Sequence, residues 1–463
     1  MKKMSSKRRE FLKTSALGAG SAFLCNVSSY LWAQEGTRPP NIVLIISDDQ
    51  GWGDYGSMGH PHIQTPNLDR LAQESVTFTR GYVAAPLCCP SLASMVTGLH
   101  PHQHKITSND PPYHGDPKDR WKKGWTPERK EAREEMMAHI QEVPTLPRLL
   151  EEKGFFSLQT GKWWYGNYRS GGFTHGMTHG DMSRGGRHGD EGLKIGREGM
   201  QPIWDFIQEA GDQPFFLWYA PFLPHSPHNP PERLLAKYRD KTDSIHVAKY
   251  WAMCEWFDET CGQLLDRLDE KGLSENTVVL YVCDNGWIQS PDTPRFADRS
   301  KRTPYEGGIR TPIMVRWPGH AKPRMDEKTL VSSVDLAPTI LSACGLKPTS
   351  HMQGIDLLDK TSLSRREAVF GAAYTHDAVD VNDPAANLET RWIIRDWWKL
   401  LVKQGAAQPE LYDLKDDPTE KNDLAVKHPE KVQRLRKRLD AWWDPSIKAP
   451  RQTASEPPRP RGS

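Results

Sequence analysis

Ile42-Val43-Leu44-Ile45-Ile46-Ser47-Asp48-Asp49 decides the fold. Five consecutive apolar residues, mostly β-branched, leave no polar face. That is the pattern of a strand buried on both sides within a parallel sheet. The run then breaks into two carboxylates. Phe215-Phe216-Leu217-Trp218-Tyr219 repeats the pattern and ends in a Pro/His loop, and residues 277–283 repeat it before Asp284-Asn285-Gly286. Helical periodicity lies between these runs, for example at 65–75, 145–153 and 249–271. Strand alternating with helix predicts an α/β fold built on a large, mostly parallel sheet flanked by helices. Such sheets place their ligands outside the C-terminal strand ends. Asp48, Asp49, His225, Asp284 and Asn285 are therefore expected to converge.

The pattern changes after about residue 348. Short strands at 391–402 and 411–414, a turn at Asp416-Asp417-Pro418 and a helix at 429–443 predict a smaller C-terminal α+β domain. The expected division is a catalytic domain at 38–347, a C-terminal subdomain at 348–446 and a disordered tail at 447–463. Residues 111–135 read as an insertion or lid, and the Gly/His-rich stretch 170–192 as a loop bordering the site.

With 463 residues, 37 % hydrophobic and 26 % charged, the chain can build a large core and a second domain. Lys+Arg 61 against Asp+Glu 59 gives a net charge of +2, so no global field points to nucleic acid. Any anion selectivity must be local. At the N-terminus, Lys7-Arg8-Arg9-Glu10-Phe11-Leu12-Lys13 precedes a small-residue apolar run at 16–24. A basic head and a short apolar middle predict a cleaved export leader over 1–33, not a membrane anchor. The paired arginines are those of a twin-arginine signal, giving a periplasmic or secreted product. Cleavage would remove Cys25. The other six cysteines (Cys88, Cys89, Cys254, Cys261, Cys283, Cys344) form no CxxC pair and read mainly as buried thiols.

Asp48, Asp49, Asp284 and Asn285 offer only oxygen ligands, which suits Ca²⁺ or Mg²⁺. Cys88-Cys89-Pro90-Ser91 precedes a helical segment that Gly98 closes, so Cys88 is expected at a helix N-terminus. Free backbone N–H groups and the positive end of the dipole favour a nucleophile attacking an anionic ester there.

Ile46 to Asp54 (Ile-Ser-Asp-Asp-Gln-Gly-Trp-Gly-Asp), Pro66-Asn67-Leu68-Asp69-Arg70-Leu71-Ala72, Cys88-Cys89-Pro90-Ser91 with Thr97-Gly98, Gly161-Lys162-Trp163, Asp284-Asn285-Gly286 and Tyr305-Glu306-Gly307-Gly308-Ile309-Arg310 resemble, in order, the type I sulfatases of the alkaline phosphatase superfamily. The ending Glu410-Leu411-Tyr412-Asp413-Leu414, with Asp417-Pro418 and Asn422-Asp423-Leu424, is similar to that family's C-terminal domain. The resemblance covers nearly all of residues 39–443. It implies that Cys88 is oxidised to formylglycine by a formylglycine-generating enzyme, and that its hydrate attacks sulfur. It implies Ca²⁺ held by Asp48, Asp49, Asp284 and Asn285 with the modified Cys88, and assigns Lys162 and Lys301 to charge balance. His225, in preference to His228, would protonate the leaving oxygen. The implied reaction is sulfate-ester hydrolysis on a sulfated small molecule or glycan.

Two positions depart from the family pattern. Leu92 replaces the arginine of Cys-x-Pro-Ser-Arg, which helps recognition by the converting enzyme and grips the modified side chain. Trp164 replaces the histidine two residues after Lys162, removing a donor near the sulfate, since an indole donates once and carries no charge. Arg184, Arg187 and His188 are candidates to replace the lost charge. Trp52, Trp121, Trp125, Trp163 and Trp164 are candidates to stack on sugar rings. A phosphodiester or phosphonate hydrolase of the same superfamily, and a non-catalytic glycan-binding relative, are the alternatives.

Overall fold

The computed structural model describes residues 38–115 and 125–447. The predicted leader, Trp121 and all of the predicted tail except Ile447 lie outside the described residues. The first strand, β1 (Asn41–Ser47), is buried along its whole length, as its unbroken apolar run requires. Ile42, Leu44 and Ile46 enter one hydrophobic core, with Leu92 and Val96. Val43 and Ile45 enter another, with Phe257, Leu264 and Leu268. Alternate side chains of one strand thus reach two cores, the mark of a sheet covered on both faces.

The other strands of the main sheet are β2 (Val76–Tyr82), β3 (Phe156–Gly161), β4 (His175–Gly176), β5 (Phe215–Ala220), β6 (Thr277–Cys283), β7 (Arg310–Arg316), β8 (Arg324–Asp326) and β9 (Val331–Ser332). Their order is β4-β3-β5-β1-β6-β7-β2-β8, with β9 beside β2. β1 lies parallel to both β5 and β6. β7 runs antiparallel to its neighbours β6 and β2. The sheet is therefore mixed but mostly parallel, and the tips of β1, β3, β5 and β6 emerge side by side.

A second sheet, β10 (Ala368–Tyr374), β11 (Leu388–Arg395), β12 (Trp398–Lys403) and β13 (Glu410–Asp413), is antiparallel throughout. The helix Pro429–Trp442 lays Leu435 and Leu439 on its Ile393, Leu400 and Leu411. Its strand β10 docks on the first sheet's side of the molecule, where Ala372 N–H donates to Ala84 O at 3.1 Å. No helix among the described residues is long and apolar enough to cross a membrane.

The predicted insertion or lid at 111–135 is described in part. Within 111–135, the described part includes the start of a packed helix, Pro127–Ala138, capped by the Thr126 hydroxyl. Its Arg129 and Arg133 are buried. Arg133 donates to the carbonyls of Trp164 and Arg187, so this segment is tied down by hydrogen bonds to backbone that would otherwise lack partners.

Candidate active site

β1, β5 and β6 end together, and backbone bonds lock their tips. Asp48 N–H donates to Leu223 O at 3.0 Å, and Asp284 N–H to Ser47 O at 2.9 Å. Asp49 takes a left-handed backbone, φ 66°, rare for a residue with a side chain. Its N–H reaches Asp284 Oδ1 at 3.1 Å, which helps to hold that conformation. On the neighbouring strand, Gly161 (φ +75°) lies so close to Ala220 O that a β-carbon would sit 1.8 Å from it. Only glycine lets β3 end there, with Lys162 N–H on Ala220 O at 2.7 Å.

The predicted residues meet. Lys162 Nζ lies 2.6 Å from Asp48 Oδ1 and 3.5 Å from Asp284 Oδ2. Lys301 Nζ lies 2.5 Å from Asp49 Oδ1. Asn285 Nδ2 donates to Asp49 Oδ1 at 2.7 Å, and the Cys88 thiol donates to Asn285 Oδ1 at 3.4 Å. His225 Nε2 stands 3.4 Å from Asp49 Oδ2. Its Nδ1 is 2.5 Å from Ser226 O and must carry a proton there, so Nε2 donates only when the ring is cationic. His228 lies instead against Tyr250 and Trp287, with neither ring nitrogen bonded. Of the two histidines, His225 is the one at the carboxylates.

Cys88 opens the helix Cys88–Thr97, every residue of which is buried. Tyr165 donates to Cys89 O at 2.5 Å, and Cys89 N–H donates to Asn109 Oδ1 at 2.9 Å, fixing the turn that presents the thiol. Burial pushes that thiol up to about 12, against the pull of Lys162 and Lys301. An unmodified Cys88 is therefore a poor nucleophile at neutral pH.

The charges do not close on themselves. Asp48 Oδ2 is buried with no hydrogen-bond partner, and the same holds for Asp49 Oδ2 and Asp284 Oδ2, which face only His225 Nε2 at 3.4 Å and Lys162 Nζ at 3.5 Å. Burial holds Asp48 well above the usual carboxylate range, with Lys162 pulling the other way and Asp284 and Asp49 adding to the rise. Burial would raise Asp49 too, but Lys301, His225 and Lys162 outweigh it and hold it far below. Burial would lower Lys162, yet Asp48, Cys88 and Asp284 raise it well above its normal value. Asp48, Asp49, Cys88 and His225 each offer a ligand atom within 4.8 Å of the others. Unpartnered carboxylate oxygens in excess of lysine charge fit a hard divalent cation.

Some expectations need revision. Arg184 is exposed and pairs with Glu191, away from the cluster. Trp163 and Trp164 are buried, at 0 % and 2 % exposure, so neither offers a face to a sugar. Trp125 carries Arg129 on its ring, 4.2 Å from the centroid. Two arginines take positioning roles, Arg197 unforeseen in the sequence and Arg187 foreseen only as a candidate sulfate contact. Arg197 holds the His225 loop through Phe222 O (2.7 Å) and His225 O (3.1 Å). Arg187 grips buried Asp110 with two bonds, 2.8 and 2.5 Å. No spacing signal points to Arg197, a lone arginine in a polar loop.

Comparison with known proteins accords with this geometry. The Sulfatase family model matches residues 40–346, and the model of the C-terminal part of N-sulphoglucosamine sulphohydrolase matches 296–443. N-acetylgalactosamine-6-sulfatase of Rattus norvegicus is 32 % identical over 372 residues, covering 71 % of this chain and 67 % of that protein. Arylsulfatase A of Homo sapiens is 30 % identical over 391 residues, covering 72 % and 70 %. The structure of BT4656 in complex with its substrate D-glucosamine-2-N,6-O-disulfate shares the fold, with TM-score 0.69 at 20 % identity over 89 % of this chain and 100 % of that one. With an open carboxylate cluster at the strand tips and a cysteine at the adjoining helix start, this chain belongs to the sulfatase family and is a sulfuric ester hydrolase.

Proposed function

We propose that the protein removes sulfate from a sulfated carbohydrate, using formylglycine made from Cys88 and one Ca²⁺. The observation that carries this reading is the buried trio of carboxylates with unpartnered oxygens beside the Cys88 thiol. Asp48, Asp49, Asp284 and Asn285, with the modified Cys88, would hold the cation. Bound there, calcium polarises the nucleophile and offsets charge on the sulfate.

The chain's own residues do the rest. The modified Cys88 would supply the hydroxyl that replaces the sugar oxygen on sulfur, and loss of the proton from its second hydroxyl would re-form the aldehyde and expel sulfate. Lys162 and Lys301, raised by their carboxylate neighbours, stay cationic and balance the charge on the sulfate oxygens. His225, stacked on Phe222 at 4.3 Å, is held well below the ordinary imidazole value by burial against the pull of Asp49, so once its ring is protonated Nε2 is a strong acid for the leaving sugar oxygen. The substrate class follows from relatives named for 6-sulfated N-acetylhexosamines.

Export goes with this reading: a twin-arginine leader over 1–33 would deliver the folded enzyme to the periplasm or outside. A catalytic domain at 38–347 and a subdomain at 348–446, followed by the tail, complete it. A formylglycine-generating enzyme must accept Leu92 where the family has arginine. Peptide mass spectrometry of the protein from its native host tests the central step. Formylglycine at position 88, together with release of sulfate from 6-sulfated hexosamines, supports the proposal. Unmodified Cys88 in the active enzyme sinks it.

A further inference from the structure

Trp164 stands where the sulfatase pattern has a histidine, and the structure shows what this does to the site. Its indole is buried and uncharged, so it cannot supply the cationic imidazole donor that the pattern places there. The ring instead forms a wall shared by cations. The Arg187 guanidinium lies 4.7 Å from its centroid and Lys162 Nζ 5.9 Å. His188 packs edge-on against it at 5.4 Å. His188 also stacks on Phe222 at 5.2 Å, and Phe222 stacks on His225. Lys162 Nζ is 5.6 Å from that same Phe222 ring. One aromatic corner therefore gathers His188, His225 and Lys162.

The backbone at His188 is fixed from two sides. Trp163 N–H donates to His188 O at 3.1 Å, and Arg133 donates to Arg187 O. His188 is half-buried, and its Nδ1 is buried with no hydrogen-bond partner. A polar ring held this firmly with an unmet nitrogen is short of a ligand. Arg187 is committed to Asp110, and Arg184 pairs with Glu191 at the surface.

We propose that His188 supplies the imidazole that Trp164 displaces, donating a hydrogen bond to an oxygen of the bound sulfate group from the Gly/His-rich loop. The inference rests on the sulfatase reading, and it relocates one sulfate contact from the end of β3 to that loop. Trp164 then serves as the wall that aims the His188 ring.

Inorganic sulfate binding to the calcium-loaded protein, measured by calorimetry, tests this without requiring turnover. His188→Ala should weaken binding about tenfold, the loss expected for one charge-assisted hydrogen bond. His188→Gln keeps an N–H donor and should recover most of it. Trp164→His in the His188→Ala background should also recover it, because the donor returns to the family's position. Undiminished sulfate binding by His188→Ala, no sulfate binding by the parent protein, or a loss that neither His188→Gln nor Trp164→His repairs would each overturn the proposal. The sulfatase reading fails separately, if an aryl sulfate is not turned over or if Cys88→Ala turns it over unchanged.

Discussion

At the tips of β1 and β6, three carboxylates meet two lysines and leave Asp48 Oδ2 without a partner, whereas at the seam between the sheets Glu306 and Glu420 hold Lys399 between them, Glu420 Oε1 by an ion pair rather than a well-formed hydrogen bond. Lys399 Nζ is 3.2 Å from Glu306 and 2.7 Å from Glu420. The remaining oxygens take Glu306 N–H (2.6 Å) and Tyr82 OH (3.2 Å), with Arg310 at 3.6 Å. Both clusters are buried and both join distant parts of the chain. At the seam each of the four carboxylate oxygens has a donor or cation within 3.2 Å, whereas at the tips Asp49 Oδ2 and Asp284 Oδ2 are 3.4 and 3.5 Å from theirs and Asp48 Oδ2 has none. Buried charge alone therefore does not mark function; an unmet remainder does. The seam cluster joins the two sheets, and the tip cluster is built for something that arrives.

The sharpest way to break this contrast is at the thiol. Cys88→Ala should reduce aryl sulfate turnover by at least about 10⁴-fold, with the melting temperature nearly unchanged. Substantial residual turnover would move the nucleophile elsewhere. At the seam the expectation reverses. Lys399→Met leaves two glutamates facing each other and should cost about 3–5 kcal/mol in urea unfolding, with turnover per folded molecule preserved. A stable variant that loses activity would mean the seam serves catalysis after all.

Metal separates the clusters directly. Calcium at a hundredfold excess over its Kd should stabilise the parent protein by about 2.7 kcal/mol, and Asp284→Ala should abolish that increment. Lys399→Met should keep it. Equal melting of the parent with and without calcium would count against the tip ligands.

The smallest effect concerns a third buried group, His100, His102 and His104. His100 and His102 pack on Trp442, and His102 also stacks on Trp443 at 4.7 Å, joining the segment after the Cys88 helix to the C-terminal helix. Burial pushes His102 and His104 down to about 3, from 6.5. The unfolded chain thus takes up protons that the folded chain refuses. Stability is full above about pH 6.5 and is lost as pH falls toward 3, at up to about 1.4 kcal/mol per pH unit for each ring. His102→Gln should flatten the slope between pH 6.5 and 5 by one such increment in urea titrations. An unchanged slope would show that His102 does not titrate on unfolding.

Much of this was legible in advance where local pattern and covalent order coincide. Apolar runs predicted β1, β5 and β6 to within a residue at each end, since a strand buried on both faces tolerates no polar interruption. Cys88 at a helix start followed from Pro90 and Gly98. That Pro127–Ala138 is a helix with two buried arginines was not legible, because charge reads as exposure until Arg133 meets the Trp164 carbonyl. Tryptophans near loops likewise read as sugar platforms until the packing put Trp163 and Trp164 inside.

By itself, the order of residues determined an α/β chain with acidic strand ends, a cysteine opening a helix and a sulfatase motif set. Those are properties of periodicity and of short motifs, which neighbours in sequence enforce. Only the tertiary structure decided that Asp48 keeps an oxygen unpartnered, that His228 packs on Tyr250 and Trp287, and that His188 reaches the corner beside Lys162. Such outcomes depend on distances between residues far apart in the chain, set by how the sheet and its loops pack and which polar atoms that packing leaves unmet.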